Sequence, residues 1–266
     1  MMKMYTRRFI DLDAKSLKSP VAILGLPGIA NVGRIAVDTL AAVLDAQPVM
    51  DFFSDDFPPR VFVKDGIANF PKSSIMLYRA APDEPHDLIL LSADFQPASG
   101  RGVFEYADFV VQEFTGLGVK EVYALAAYET SYQEFFESYP MPPRVFISAS
   151  SSELLGEIST VGGTVATEEG VVNGANGFIP AWAASMYDMK GACLLGETLG
   201  MIKMDYRAAR TVLEKISSFL DINASFDILE DDVTKVIDFI EWAKNEISQR
   251  GTAEEEGERP SDRYIG

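Results

Sequence analysis

The stretch Gly25-Leu26-Pro27-Gly28-Ile29-Ala30-Asn31-Val32-Gly33 separates the apolar run Val21-Ala22-Ile23-Leu24 from an amphipathic segment that begins near Val32. Three glycines and a proline at a strand-to-helix junction let the chain take backbone angles closed to other residues and pass close to a neighbour. A tight turn packed on another strand or subunit is the first expectation. The spacing of Gly25, Gly28 and Gly33 does not give the Gly-x-Gly-x-x-Gly of a dinucleotide fold, and no Gly-Lys-Ser/Thr follows. A helix N-terminus behind such a loop still offers free amides to an anion, so a ligand at this turn stays open.

Short apolar runs recur along the chain: Val21 to Leu24, Val49 to Phe53, Val61 to Val63, Ile75 to Arg79, Leu88 to Ser92, Val122 to Ala126 and Val145 to Ser148. They read as strands. Helical periodicity lies between several of them, over Val32 to Leu44 and Tyr106 to Phe114. The alternation predicts an α/β, three-layer sandwich with a mixed central sheet. The early strands, separated by Pro58-Pro59 and Asp65-Gly66, are expected to be antiparallel neighbours. With 266 residues and 47% hydrophobic content, the core is large enough to need no staples. Residues 1–250 read as one α/β domain.

Two amphipathic stripes close that domain, one through Tyr206, Ala209, Leu213, Ile216 and Leu220, the other through Val233, Val236, Ile237, Ile240, Ala243 and Ile247. Both are expected to be core-facing helices. After Arg250 the pattern stops, and residues 251–266 read as a flexible acidic tail whose charge, glycine and proline bury too little to offset ordering. Its end, Arg263-Tyr264-Ile265-Gly266, is either a docking peptide or an end folded back on the body.

Net charge of −17 repels nucleic-acid phosphates and anionic lipid heads, so neither is expected as a partner. The basic N-terminal residues have no apolar region behind them, and no stretch approaches the ~20 apolar residues of a membrane span. A cytoplasmic protein is the expectation. The single cysteine, Cys193, sits in an apolar run, and the single histidine, His86, in the turn-like Asp83-Glu84-Pro85-His86-Asp87. Histidine-rich zinc sites and cysteine–histidine or serine–histidine catalysis therefore have almost nothing to work with. No cofactor and no metal is expected; Asp55-Asp56, adjacent acids lacking further ligands nearby, read as a solvated turn.

An enzyme would have to be built from carboxylates. Asp94 follows the run Leu88 to Ser92 and Glu129 follows Val122 to Ala126, both where α/β sheets place ligands. With Asn31 they would line one cleft, Asp94 and Glu129 acting as acid and base. The alternatives are a helix cap for Asp94, a turn contact for Asn31 and a solvated Glu129. The aromatic segment Tyr132, Phe135, Phe136 and Tyr139 is expected to form a subunit interface, with a packed lid as the other reading.

Four segments carry a resemblance: the loop with Gly25, Pro27, Gly28, Asn31 and Gly33; Leu91-Ser92-Ala93-Asp94-Phe95-Gln96-Pro97; Gly170-Val171-Val172-Asn173-Gly174-Ala175-Asn176-Gly177; and Leu194-Leu195-Gly196-Glu197-Thr198 with Asp205 and Ala208-Ala209. Over about residues 20 to 220 the chain resembles the archaeal branch of the proteasome assembly chaperone family, once loosely labelled ATP-grasp-like. The resemblance implies a core like that of purine nucleoside phosphorylases, a homo-oligomer, and the proteasome core particle or its subunits as partner. It further implies a C-terminal hydrophobic-Tyr-any contact with the α-ring. Here Tyr264 is third from the end and follows Arg263, a shifted register.

Overall fold

The computed structural model describes residues 3–257. The first half contains β1 (Met4–Arg8), β2 (Val21–Gly25), α1 (Val32–Val43), β3 (Gln47–Ser54), β4 (Phe62–Lys64), β5 (Ile67–Asn69), β6 (Ser73–Tyr78), β7 (Leu88–Ala93), α2 (Gly100–Gly116) and β8 (Glu121–Glu129). The second contains α3 (Tyr132–Ser138), β9 (Val145–Ala149), α4 (Ser152–Ser159), β10 (Thr164–Ala166), α5 (Ala175–Tyr187), β11 (Lys190–Thr198), α6 (Tyr206–Phe219) and α7 (Glu230–Gly257).

Nine strands form one sheet in the order β1-β3-β6-β7-β2-β8-β11-β9-β10, and β4 pairs only with β5. The sheet is mixed: β7, β2, β8 and β11 run parallel, while β1–β3, β3–β6, β6–β7 and β11–β9 are antiparallel pairs. The antiparallel expectation for the early strands holds for β3 and β6, whereas β4 neighbours neither of them and instead forms a hairpin with β5 between the two.

Period-two alternation explains why the central strands read as unbroken apolar runs. Ala22 and Leu24 of β2 enter a core with α2 and α5, whereas Val21 and Ile23 enter the opposite core with α1, α4 and α6. Both faces are covered, giving three layers. Ser99 caps α2, its Oγ accepting from the Gly102 N–H at 2.9 Å, which starts that helix earlier than Tyr106. Asp205 caps α6 in the same way through the Ala208 N–H at 3.0 Å.

A third cluster differs from expectation. Phe135 of α3 is buried with Leu199, Ile202, and Val236 and Ile240 of α7, and Phe136 and Tyr139 pack against it. The aromatic segment is thus a lid packed within the chain, leaving Tyr132 as its exposed member at 38%. Helix α7 also continues past Arg250 to Gly257, because Thr252 to Glu256 holds no glycine or proline to break it. Among the described residues no helix is long and apolar enough to cross a membrane.

Candidate functional site

The Gly25–Gly33 turn is fixed by steric fit. A Cβ at Gly25 would stand 2.0 Å from the Gly33 carbonyl oxygen, and one at Gly33 would stand 2.0 Å from the Leu125 carbonyl oxygen. Close approach, the second of the two expected roles, governs these glycines. The left-handed backbone falls instead on Ala30 (φ 50°) and Asn31 (φ 51°), and Asn31 turns away to donate to the Lys203 carbonyl at 3.3 Å. Gly28 has ordinary space, its nearest neighbours being the side-chain amides of Asn176 and Gln96 at 3.8 Å.

Those two amides tie the turn to α5. The Asn176 side chain accepts from the Leu26 N–H at 2.9 Å and donates to the Leu26 carbonyl at 3.0 Å, imitating a strand partner. Gln96 donates to the Pro27 carbonyl at 2.5 Å and accepts from the Ala175 N–H at 2.7 Å. Beyond the carboxyl ends of β2 and β8 they help enclose a cavity of about 550 Å³, whose walls include Leu26, Gly28, Gly33, Tyr128, Glu129, Ser148 and the segment Thr167–Gly174. Tyr128 is held flat by Phe146, with ring centroids 4.0 Å apart.

Of the residues expected to share a cleft, Glu129 lines this cavity while Asp94 and Asn31 do not. Asp94 accepts from Arg34 at 2.8 Å and from the Lys72 backbone N–H at 3.0 Å. The acid–base pair is therefore not assembled. Glu129 lies instead against Gly200, where a Cβ would meet its carboxylate at 1.9 Å. The lining holds Glu129, Glu168 and Glu169 and neither lysine nor arginine, so its field opposes the anion a helix N-terminus would otherwise attract. The far wall, Thr167–Gly174, went unassigned as a site from sequence; the paired signals were Gln96 at a strand end and Asn176 in a glycine-rich turn.

Cys193 is buried, and loss of hydration pushes its thiol up to about 12, far from a thiolate nucleophile. His86 Nδ1 lies 2.9 Å from the Ser19 carbonyl in its loop. Asp55 is exposed in its turn, whereas Asp56 accepts from the Ser99 backbone N–H and hydroxyl, each at 2.9 Å. No cluster of three metal-ligating side chains occurs among the described residues. Arg263, Tyr264, Ile265 and Gly266 lie outside the described residues.

A mixed nine-stranded sheet covered on both faces, with a turn tied by side-chain amides and a carboxylate-lined cavity beside it, defines an α/β scaffold class. Within it, a model of the PAC2 family matches residues 22–241, and the chain belongs to that family. It is 29% identical over 270 residues to the uncharacterised protein MJ1210 of Methanocaldococcus jannaschii, an alignment covering 100% of this chain and 99% of the relative. The fold is similar to that of Pyrococcus furiosus PbaB, an archaeal proteasome activator, with a TM-score of 0.81 and 23% identity over 92% of this chain and 100% of that one. Pyrococcus furiosus PbaA, an archaeal homologue of proteasome-assembly chaperone, gives a TM-score of 0.69 and 23% identity over 95% of this chain and 97% of that one.

Proposed function

We propose that this chain is a non-enzymatic proteasome assembly chaperone or proteasome-binding adaptor, working in the cytoplasm as a homo-oligomeric scaffold. Its docking contact is the C-terminal Arg263-Tyr264-Ile265-Gly266. The observation that carries this reading is the family match over residues 22–241, within which the whole fold resembles a protein described as an archaeal proteasome activator. The chemistry supports it: the thiol is buried and un-ionised, and Asp94 is held by Arg34 away from Glu129. A flexible tether between the α/β domain and that segment would raise the effective concentration of Tyr264 at neighbouring sites on a ring.

One observation favours a second reading. The cavity of about 550 Å³ beside Glu129 has the size of a small-molecule site, as a ligand-binding protein or a hydrolase or transferase would need. Capture of an archaeal-type proteasome core particle by the full chain and by a form ending at Asp262 separates the two. Capture by the full chain alone is the expected result. Capture by neither removes the direct proteasome contact and leaves the cavity as the functional centre.

A further inference from the structure

Asparagine followed by glycine occurs twice in the chain, at Asn173-Gly174 and Asn176-Gly177. The pair is chemically distinctive. Glycine has no Cβ to shield its amide nitrogen or to restrict the backbone around it, so that nitrogen can reach the side-chain carbonyl carbon of the preceding asparagine and close a ring. Whether it does so depends on what else holds the two groups.

The structure places the two pairs in opposite circumstances. Asn173 is exposed in the irregular strap between β10 and α5, two residues from Val171 at 83% exposure. Among the described residues neither its side-chain amide nor the Gly174 N–H has a hydrogen-bond partner. Asn176, by contrast, is 5% exposed. Its Oδ1 accepts from the Leu26 N–H at 2.9 Å and its Nδ2 donates to the Leu26 carbonyl at 3.0 Å, so both ends of that amide are committed. Gly177 lies inside α5, where a Cβ would stand 2.3 Å from Cγ1 of Val172. Ring closure at Asn176 therefore requires the tie to Leu26 and the first turn of α5 to open beforehand.

We propose that Asn173 is a site of spontaneous covalent modification, and that Asn176, with the same neighbour in sequence, is spared by its tie to Leu26. The Gly174 nitrogen attacks Cγ of Asn173 and forms a C–N bond there. The bond from Cγ to Nδ2 breaks, and ammonia leaves, its third hydrogen matching the proton lost from the Gly174 nitrogen. Water then opens the cyclic imide at one of its two carbonyls. Opening at Cγ gives aspartate; opening at the main-chain carbonyl gives isoaspartate, in which the backbone runs through the former side chain. The net change is amide plus water to carboxylic acid plus ammonia, and nothing is oxidised or reduced.

The modification bears on the cavity. The segment Thr167–Gly174 is its far wall and already carries Glu168 and Glu169, so a further carboxylate deepens the negative field inside. The isoaspartyl product also lengthens the wall by one methylene directly before Gly174. Space there is short: a Cβ on Gly174 would stand 2.8 Å from Oε1 of Gln96, the same oxygen that accepts from the Ala175 N–H at 2.7 Å. The lengthened wall is expected to loosen that hydrogen bond.

The test is incubation of the full chain in mildly alkaline buffer, folded and in urea, followed by peptide mapping with fragmentation that distinguishes aspartate from isoaspartate and assigns each to residue 173 or 176. In the folded chain, conversion at Asn173 is expected to outpace that at Asn176 by about tenfold or more, because only the second awaits local opening. In urea the two are expected to convert at similar rates. Asn173→Gln, which would need a larger and slower-forming ring, is expected to suppress ammonia release from the folded chain without lowering its melting temperature. A folded chain in which Asn173 stays intact, or in which both asparagines convert equally, overturns the proposal, as does a tenfold difference that persists in urea. Converted protein, separated by its extra negative charge, is then compared with the parent by hydrogen exchange. Faster exchange at Ala175 is the expected result, and equal exchange overturns the effect on the wall.

Discussion

A methyl group at Gly25 or Gly33 would stand 2.0 Å from a backbone carbonyl oxygen, and a backbone cannot move aside as a side chain can. Gly25→Ala and Gly33→Ala are each expected to cost about 3 kcal/mol or to prevent folding, at the upper end of overpacking penalties. At Gly28 the nearest atoms are 3.8 Å away, so Gly28→Ala is expected to stay within about 0.5 kcal/mol of the parent. Urea denaturation of the three variants checks the contrast, and a Gly28→Ala loss as large as the others would show that the turn is conformationally, not sterically, demanding. The sequence displayed the three glycines but not the division of labour among them. Close approach depends on where β8 lies, which a local pattern does not contain, and the left-handed angles fell on Ala30 and Asn31, of which only asparagine advertises that conformation.

Elements buried on both faces were the legible ones. β2, β7 up to Leu91 and the middle of β8 carry no polar side chain because each side meets a helix layer, and α6 showed a clear stripe because one side meets solvent. β1, β5 and β10 are short and largely exposed, so no burial pattern wrote them into the sequence. Helix α5 escaped notice for the opposite reason: it packs against α2, β8 and β11 at once, contains Pro180, and shows no polar stripe. For the candidate site, chain position was readable and side-chain direction was not. Asp94 and Glu129 both follow strands, yet only Glu129 lines the cavity because Arg34 of α1 draws Asp94 elsewhere. The aromatic helix α3 illustrates the same limit, since its partner α7 lies about a hundred residues away in sequence. Phe135 is 2% exposed, packs on Val236 and Ile240, and carries the Arg207 guanidinium 5.0 Å from its ring centre. Phe135→Ala is expected to cost about 3 kcal/mol and to raise hydrogen exchange in α7 first, whereas Tyr132→Ala should leave both nearly unchanged. Equal effects at the two positions would sink the lid assignment.

At the scale of the whole molecule, docking and folding are expected to be carried by separable parts of the chain. Among the described residues the buried apolar core ends in α7 with Ile240 at 1% and Ala243 at 3% exposed, well before the tail that is proposed to dock. Cutting the chain after Asp262 removes Tyr264 and touches none of the three core clusters, so its melting temperature should match that of the full chain while proteasome capture is lost. Cutting after Phe239 removes Ile240 and Ala243 together and opens the cluster around Phe135. Deleting one buried isoleucine side chain costs about 2–5 kcal/mol, a large part of the 5–15 kcal/mol that typically separates native from unfolded protein. The longer truncation should therefore melt far lower or fail to fold. Thermal melts of the two truncations beside the full chain decide the matter. A shorter truncation that also melts low would mean the last residues pack on the body, and loss of capture would then report unfolding, not a missing contact.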